Sequence, residues 1–312
     1  MLQNNTISSI SKLFVAFLLV FSISSCQSGQ KKTDKDISID DFLTEDVIFD
    51  DIDKAKKIFY SLPSPLETAL IMKSAGAKYD QEILNSIDNV QNYTTNRSMA
   101  LNLGIYTTDL SFASLFEQTQ ASIDYMGAAR AMAEGLDITD AINRDTMEKL
   151  EANLNNRDVV MDIISETFLN SSSYLKENER QDVAAIVLVG GWIEGLYLAA
   201  ELTEGQPVKN NKLVDRILEQ KLSLNIVHRL LEDNKTKNSG EVNDDIIELI
   251  AELQDLKSAF DKVNVETTQP SVEGENAEGV ANIRSRTTVS VEQEDFVALQ
   301  ASIVKLRTSF VQ

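Results

Sequence analysis

From Ile52 onward, apolar residues recur every three or four positions, broken by short polar, Gly or Pro punctuation. That spacing belongs to amphipathic helices, which bury one stripe and leave the rest to water. It predicts helices over 52–61, 65–76, 80–90, 96–117, 119–134, 139–154, 157–177, 180–203, 210–233, 241–263 and 291–310. Adjacent segments can fuse, so the expected fold is all-α, an irregular bundle of about nine to eleven helices. Ser64-Pro65-Leu66-Glu67 offers a capping hydroxyl, a proline in the first turn and an acid beside it, which together start a helix. Asp137-Ile138-Thr139-Asp140 and Gly205-Gln206-Pro207 read as breaks.

Two C-terminal stripes are the clearest. Ile246, Leu249, Leu253, Leu256, Phe260 and Val263 step by three and four, as do Phe296, Leu299, Ile303, Leu306 and Phe310. The organisation expected is a helical domain over 38–263, a polar link over 264–289 and a C-terminal amphipathic helix over 290–312 that packs on the body. The link is rich in Thr, Glu, Asn, Ser and Gly with scattered Val, which suits a mobile segment or a small hairpin. There is also an internal echo at an offset of 70, in which Ile123-Asp124, Ala129 and Glu134-Gly135 align with Ile193-Glu194, Ala199 and Glu204-Gly205. Two amphipathic helices that end in Gly can match by chance. A duplication would instead make two related halves, with each Gly as a helix C-cap.

The N-terminus has a different character. Residues 1–25 carry Lys12 and no acid, an apolar run over 13–21, and then Ser22-Ile23-Ser24-Ser25 before Cys26. The run is shorter than the roughly 20 residues of a bilayer span and ends in small residues, as a secretory leader does. Ile23-Ser24-Ser25-Cys26 resembles the bacterial lipobox. That resemblance implies cleavage before Cys26, acyl chains on Cys26, and membrane lipid as a partner through them. Gln27 in place of Asp then implies the outer membrane. The absence of acids over 28–32 implies its periplasmic leaflet. Residues 26–37 form the lipidated end and a polar tether.

Composition narrows the chemistry. Asp and Glu number 49 against 29 Lys and Arg, and one Lys leaves with the leader, so the formal charge of −20 becomes −21. Nucleic acid is an unsuitable partner for such a body. One His and one Cys cannot make a Cys/His zinc site or an internal disulfide, and no cofactor is expected. His228, between Leu224 and Leu231, reads as an edge-of-core side chain.

Candidate chemistry gathers in two segments. Residues 183–200 are nearly continuously apolar, which suits a central helix buried all round, with Gly191 and Gly195 admitting a neighbour. Inside it, Trp192 and Tyr197 could wall a pocket with Glu194 as its polar handle. If the echo is a duplication, Asp124 could face Glu194 and the pair could hold a cation or a proton. The plainer alternative pairs each acid with a nearby cation, Arg130 or Arg180. Residues 99–116 carry Gly104, Tyr106, Thr107, Thr108, Asp109, Ser111 and Ser114, a small and polar set for one helix. Tyr106, Asp109 and Tyr125 could form a pocket face there. Leu103-Gly104-Ile105-Tyr106-Thr107-Thr108-Asp109-Leu110-Ser111-Phe112-Ala113, with Asp124-Tyr125 after it, resembles a segment of uncharacterised all-helical lipoproteins of Bacteroidetes. The resemblance implies an envelope location and a helical fold, and no activity. The function expected is a non-catalytic binding or scaffold component of the envelope with a protein partner. The alternative is a small-ligand or cation-binding protein, and an envelope hydrolase stands third.

Overall fold

The computed structural model describes residues 72–138 with 75 excepted, scattered residues over 148–180, and residues 181–312 apart from 238, 268–270, 276–280 and 285–286. All belong to one unit, Phe49–Gln312. The leader, Cys26, the tether, the helix start at Ser64-Pro65, the expected helix at 52–61 and most of that at 65–76 lie outside the described residues.

Six helices of 17 to 22 residues carry the architecture: α1 (Asn96–Leu115), α2 (Thr119–Gly135), α3 (Gln181–Leu202), α4 (Lys212–Asp233), α5 (Asp244–Phe260) and α6 (Gln293–Val311). The fold is all-α, as the periodicity predicts, and the described pieces at 148–150, 162–164 and 174–175 are helical too. Local chemistry starts several helices. Thr95 Oγ1 accepts from the Ser98 N–H and Ser98 Oγ accepts from the Thr95 N–H, a reciprocal cap that satisfies two otherwise orphaned donors. Asn211 caps α4, and Asn243 caps α5 ahead of Asp244 and Asp245, whose charges suit the positive end of a helix.

The bundle is built around α3, which has the length and apolarity of a membrane span but is mostly buried among its neighbours. Helices α1, α4 and α6 pack on it, α2 packs on α1, and α5 joins α4 to α6. The approach of α1 to α3 is the closest, and three glycines allow it. A Cβ on Gly104 would lie 2.1 Å from the Val187 carbonyl oxygen and 2.5 Å from the Gly191 nitrogen. On Gly190 it would lie 2.1 Å from the Leu101 carbonyl oxygen. Of the glycines expected to admit a neighbour, Gly191 lies in this seam, with Gly190 and Gly104 making the tightest contacts.

Two expectations are corrected, and the link takes one of its two expected forms. Residues 80–90 form no α-helix, only a 3-10 turn over Ile87–Asn92, because their backbone is engaged elsewhere. The Asn85 N–H donates to Asp109 and the Ser86 carbonyl accepts from the Tyr106 hydroxyl. The 264–289 link takes the hairpin alternative. Strands β1 (Asn264–Thr267) and β4 (Thr287–Ser290) pair antiparallel, and so do β2 (Ser271–Glu275) and β3 (Ala281–Arg284), as two two-stranded sheets. Its scattered valines have a purpose at the base, where Val265 faces Val289 and both pack against the core. Finally, Gly205 takes the left-handed conformation after α3 (φ 69°), but after α2 that place falls to Asp137 (φ 56°) rather than Gly135. Gly135 instead leaves room for the Met99 side chain.

Candidate functional site

Helix α1 carries Asp109, α3 carries Glu194 and α6 carries Arg307, and the three meet inside the bundle. Asp109 and Glu194 have 0% exposure and Arg307 has 8%. The guanidinium grips Glu194 through two parallel bonds, Nε to Oε2 at 2.9 Å and Nη2 to Oε1 at 3.0 Å, the fork geometry that suits a planar cation and a carboxylate. Its Cζ lies 4.3 Å from the centre of the Tyr197 ring, a cation–π contact. Asp109 Oδ2 accepts from the Asn85 N–H at 3.2 Å, while Oδ1 meets no donor.

Aromatic hydroxyls surround this cluster. Tyr106 lies 6.3 Å from Tyr125 and 6.2 Å from Tyr93, ring centre to ring centre, and Tyr79 stacks on Phe112. A chain of amides continues outward. Asn85 Nδ2 donates to Asn102 Oδ1 and to the Tyr93 hydroxyl, Asn102 Nδ2 donates to the Phe310 carbonyl, and the Tyr93 hydroxyl donates to the Val311 carbonyl. The end of α6 is therefore tied to α1 and to the turn before it by hydrogen bonds as well as by apolar burial.

Burial sets the electrostatics. It pushes the Asp109 carboxyl well above the ordinary carboxylate range, and nearby Glu194 pushes the same way, with Arg307 offsetting only part. Burial opposes the charge on Arg307, but the Glu194 carboxylate outweighs it and holds the guanidinium above its usual value. Tyr79 is raised to about 12 by burial and then by the Asp109 charge; Tyr93, Tyr106, Tyr125 and Tyr197 are raised chiefly by burial.

Of the seven residues expected to form a binding site, five come together: Tyr106, Asp109, Tyr125, Glu194 and Tyr197. Trp192 does not join them. Two residues before Glu194 is roughly 200° around a helix, and its indole N–H donates instead to Gln220 on α4 at 3.1 Å. Asp124 does not join either. It is half-buried at the margin and accepts from Gln120, so no Asp124–Glu194 pair forms, and the acid that meets Glu194 is Asp109. The expected cations are also engaged elsewhere: Arg130 with Glu134 at 2.8 Å, and Arg180 with the Leu136 carbonyl at 2.6 Å.

The residues that sequence reading misses are Arg307, Asn85, Tyr93 and Asn102. Arg307 had a signal, since it falls four residues after Ile303 and three before Phe310, on the apolar stripe itself. Among the described residues no group of three or more His, Cys, Asp and Glu is placed to hold a metal. His228 sits half-buried on α4 with Glu232 at 3.9 Å, as an edge-of-core side chain. Comparison of the chain with protein-family models, with curated proteins and with solved structures finds no match.

Proposed function

We propose that the protein is a lipid-anchored component of the outer membrane, held on its periplasmic leaflet by acylated Cys26, whose helical body acts as a non-catalytic binding or scaffold element for another envelope protein. The anchor reading is supported by the leader and by Ile23-Ser24-Ser25-Cys26. The non-catalytic reading is carried by one observation: both buried acids are closed off from solvent, and the one best placed to work with a substrate is already gripped by Arg307. General acid or base catalysis needs a carboxyl within hydrogen-bond reach of a substrate. A receptor for a small cation would need the place that Arg307 fills.

The test is affinity purification of the tagged, lipidated protein from its native envelope in mild detergent, with mass spectrometry of what accompanies it. A reproducible protein partner at fixed stoichiometry is the expected result. Recovery of the protein alone, with a small molecule that raises its melting temperature, would overturn the scaffold reading in favour of a receptor.

A further inference from the structure

We propose that Asp109 is a neutral carboxylic acid in the folded protein, and that it donates its proton to the Glu194 carboxylate, closing a three-residue latch of zero net charge that fastens α6 onto α1 and α3. This reading concerns the latch itself and does not depend on the function proposed above.

The hydrogen-bond inventory requires it first. An ionised Asp109 would hold two acceptor oxygens at zero exposure with a single backbone donor between them, the Asn85 N–H on Oδ2. Oδ1 would then be a bare anionic acceptor, the costliest kind of unpaired buried atom. Arg307 makes its hydrogen bonds to Glu194, through Nε and Nη2, and none of them reaches Asp109 Oδ1. Once protonated, Oδ1 becomes a donor, and Glu194 is the carboxylate that bears on it. Each Glu194 oxygen accepts one bond from Arg307 and keeps a lone pair for it.

The charges agree. With both acids ionised, the interior would hold two negative charges against one positive, and a buried uncompensated charge is strongly unfavourable. One proton restores neutrality. Among the described residues no other group facing Asp109 supplies the missing positive charge. From the 77–86 segment comes Tyr79, from α1 Tyr106, from α2 Tyr125, and from α3 Tyr197 and Glu194. Arg307 on α6 is the one cation that bears on it among the described residues. All four tyrosines are neutral at ordinary pH and none titrates upward to a cation.

The sign of the pH effect follows. The folded protein keeps the proton above pH 4 or so, where an unfolded Asp has lost it. The folding equilibrium constant therefore falls as pH rises, by up to about tenfold per pH unit, until the folded group also ionises. Rising pH thus weakens the fold until the folded Asp109 ionises as well.

The test uses the full-length protein in mild detergent. Asp109→Asn supplies a neutral group of the same shape whose amide can donate to Glu194, so its urea-unfolding midpoint should lose this pH dependence and match or exceed the wild type at the alkaline end. A wild-type profile no steeper than that of the variant would overturn the proposal. Should Asp109→Asn fail to fold, infrared difference spectra of wild-type protein with and without 13C-aspartate decide. A carboxylic-acid carbonyl band that shifts with the label at neutral pH is expected, and its absence overturns the proposal.

Discussion

Replacing Gly190 by Ala adds one methyl group where α3 touches α1, and its consequence can be worked out from distances. The new Cβ would sit 2.1 Å from the Leu101 carbonyl oxygen, 2.8 Å from its carbon and 2.9 Å from the Leu101 Cα. All three are backbone atoms, so no side chain can swing aside. The helices must part by about 1 Å, and a close-packed interior does not deform freely. Overpacking typically costs about 1–3 kcal/mol, and a backbone obstacle belongs at the upper end, near 3 kcal/mol. The better helix propensity of Ala returns about 0.5–1 kcal/mol. A net loss of about 2 kcal/mol lowers the melting temperature of a domain this size by roughly 4–8 °C. Gly127→Ala is the control, since a Cβ there meets nothing within 4 Å, and it should gain about 0.5–1 kcal/mol from propensity alone. Thermal unfolding followed by circular dichroism measures both. If Gly190→Ala melts with the wild type or above it, the backbone-to-backbone seam is wrong.

Three other outcomes are expected. Arg307→Met leaves Glu194 buried without its cation and should cost about 3–5 kcal/mol in urea unfolding, with part of the loss recovered in Arg307→Met/Glu194→Gln; a single variant as stable as the wild type would show that the pair does not bind α6. Cys26→Ser should abolish acyl labelling and move the protein from the membrane to the soluble fraction, and retention on membranes would refute the anchor. Of the seven tyrosines, Tyr79, Tyr93, Tyr106, Tyr125 and Tyr197 are raised. Spectrophotometric titration of the folded protein to about pH 11 should therefore ionise a minority of them, whereas urea-unfolded protein should titrate fully near pH 10; equal amplitudes would refute the tyrosine-lined interior.

The helices were legible because burial writes itself into sequence as period. The stripes 246–263 and 296–310 were read position by position, and α1 through α6 begin and end within about three residues of expectation. Residues 80–90 depart from their pattern for a reason the pattern cannot carry. Their apolar spacing is compatible with a helix, but the backbone of Asn85 and Ser86 is taken by Asp109 and Tyr106 from another element. The site was half legible. Asp109 and Glu194 stand out because an acid in an apolar stretch needs a partner, but the choice of that partner depends on how helices cross. Asp124 was paired with Glu194 through a sequence echo. The echo aligns residue types and says nothing about which face of α2 points inward. Arg307 escapes a reading of the sequence because a long cation, even on an apolar stripe, usually leads its charge out to water.

Arg307, Phe310 and Val311, the residues that complete the interior, stand in the last turns of the chain, and their partners Asn102, Tyr93 and Glu194 lie 113 to 218 residues earlier. Contacts of such separation make folding slow, because a long loop must close before they form. Without α6, Asp109 and Glu194 would lack the Arg307 cation and the side of α3 that α6 covers would be exposed. The bundle is thus complete only once α6 has docked on α3 and α5.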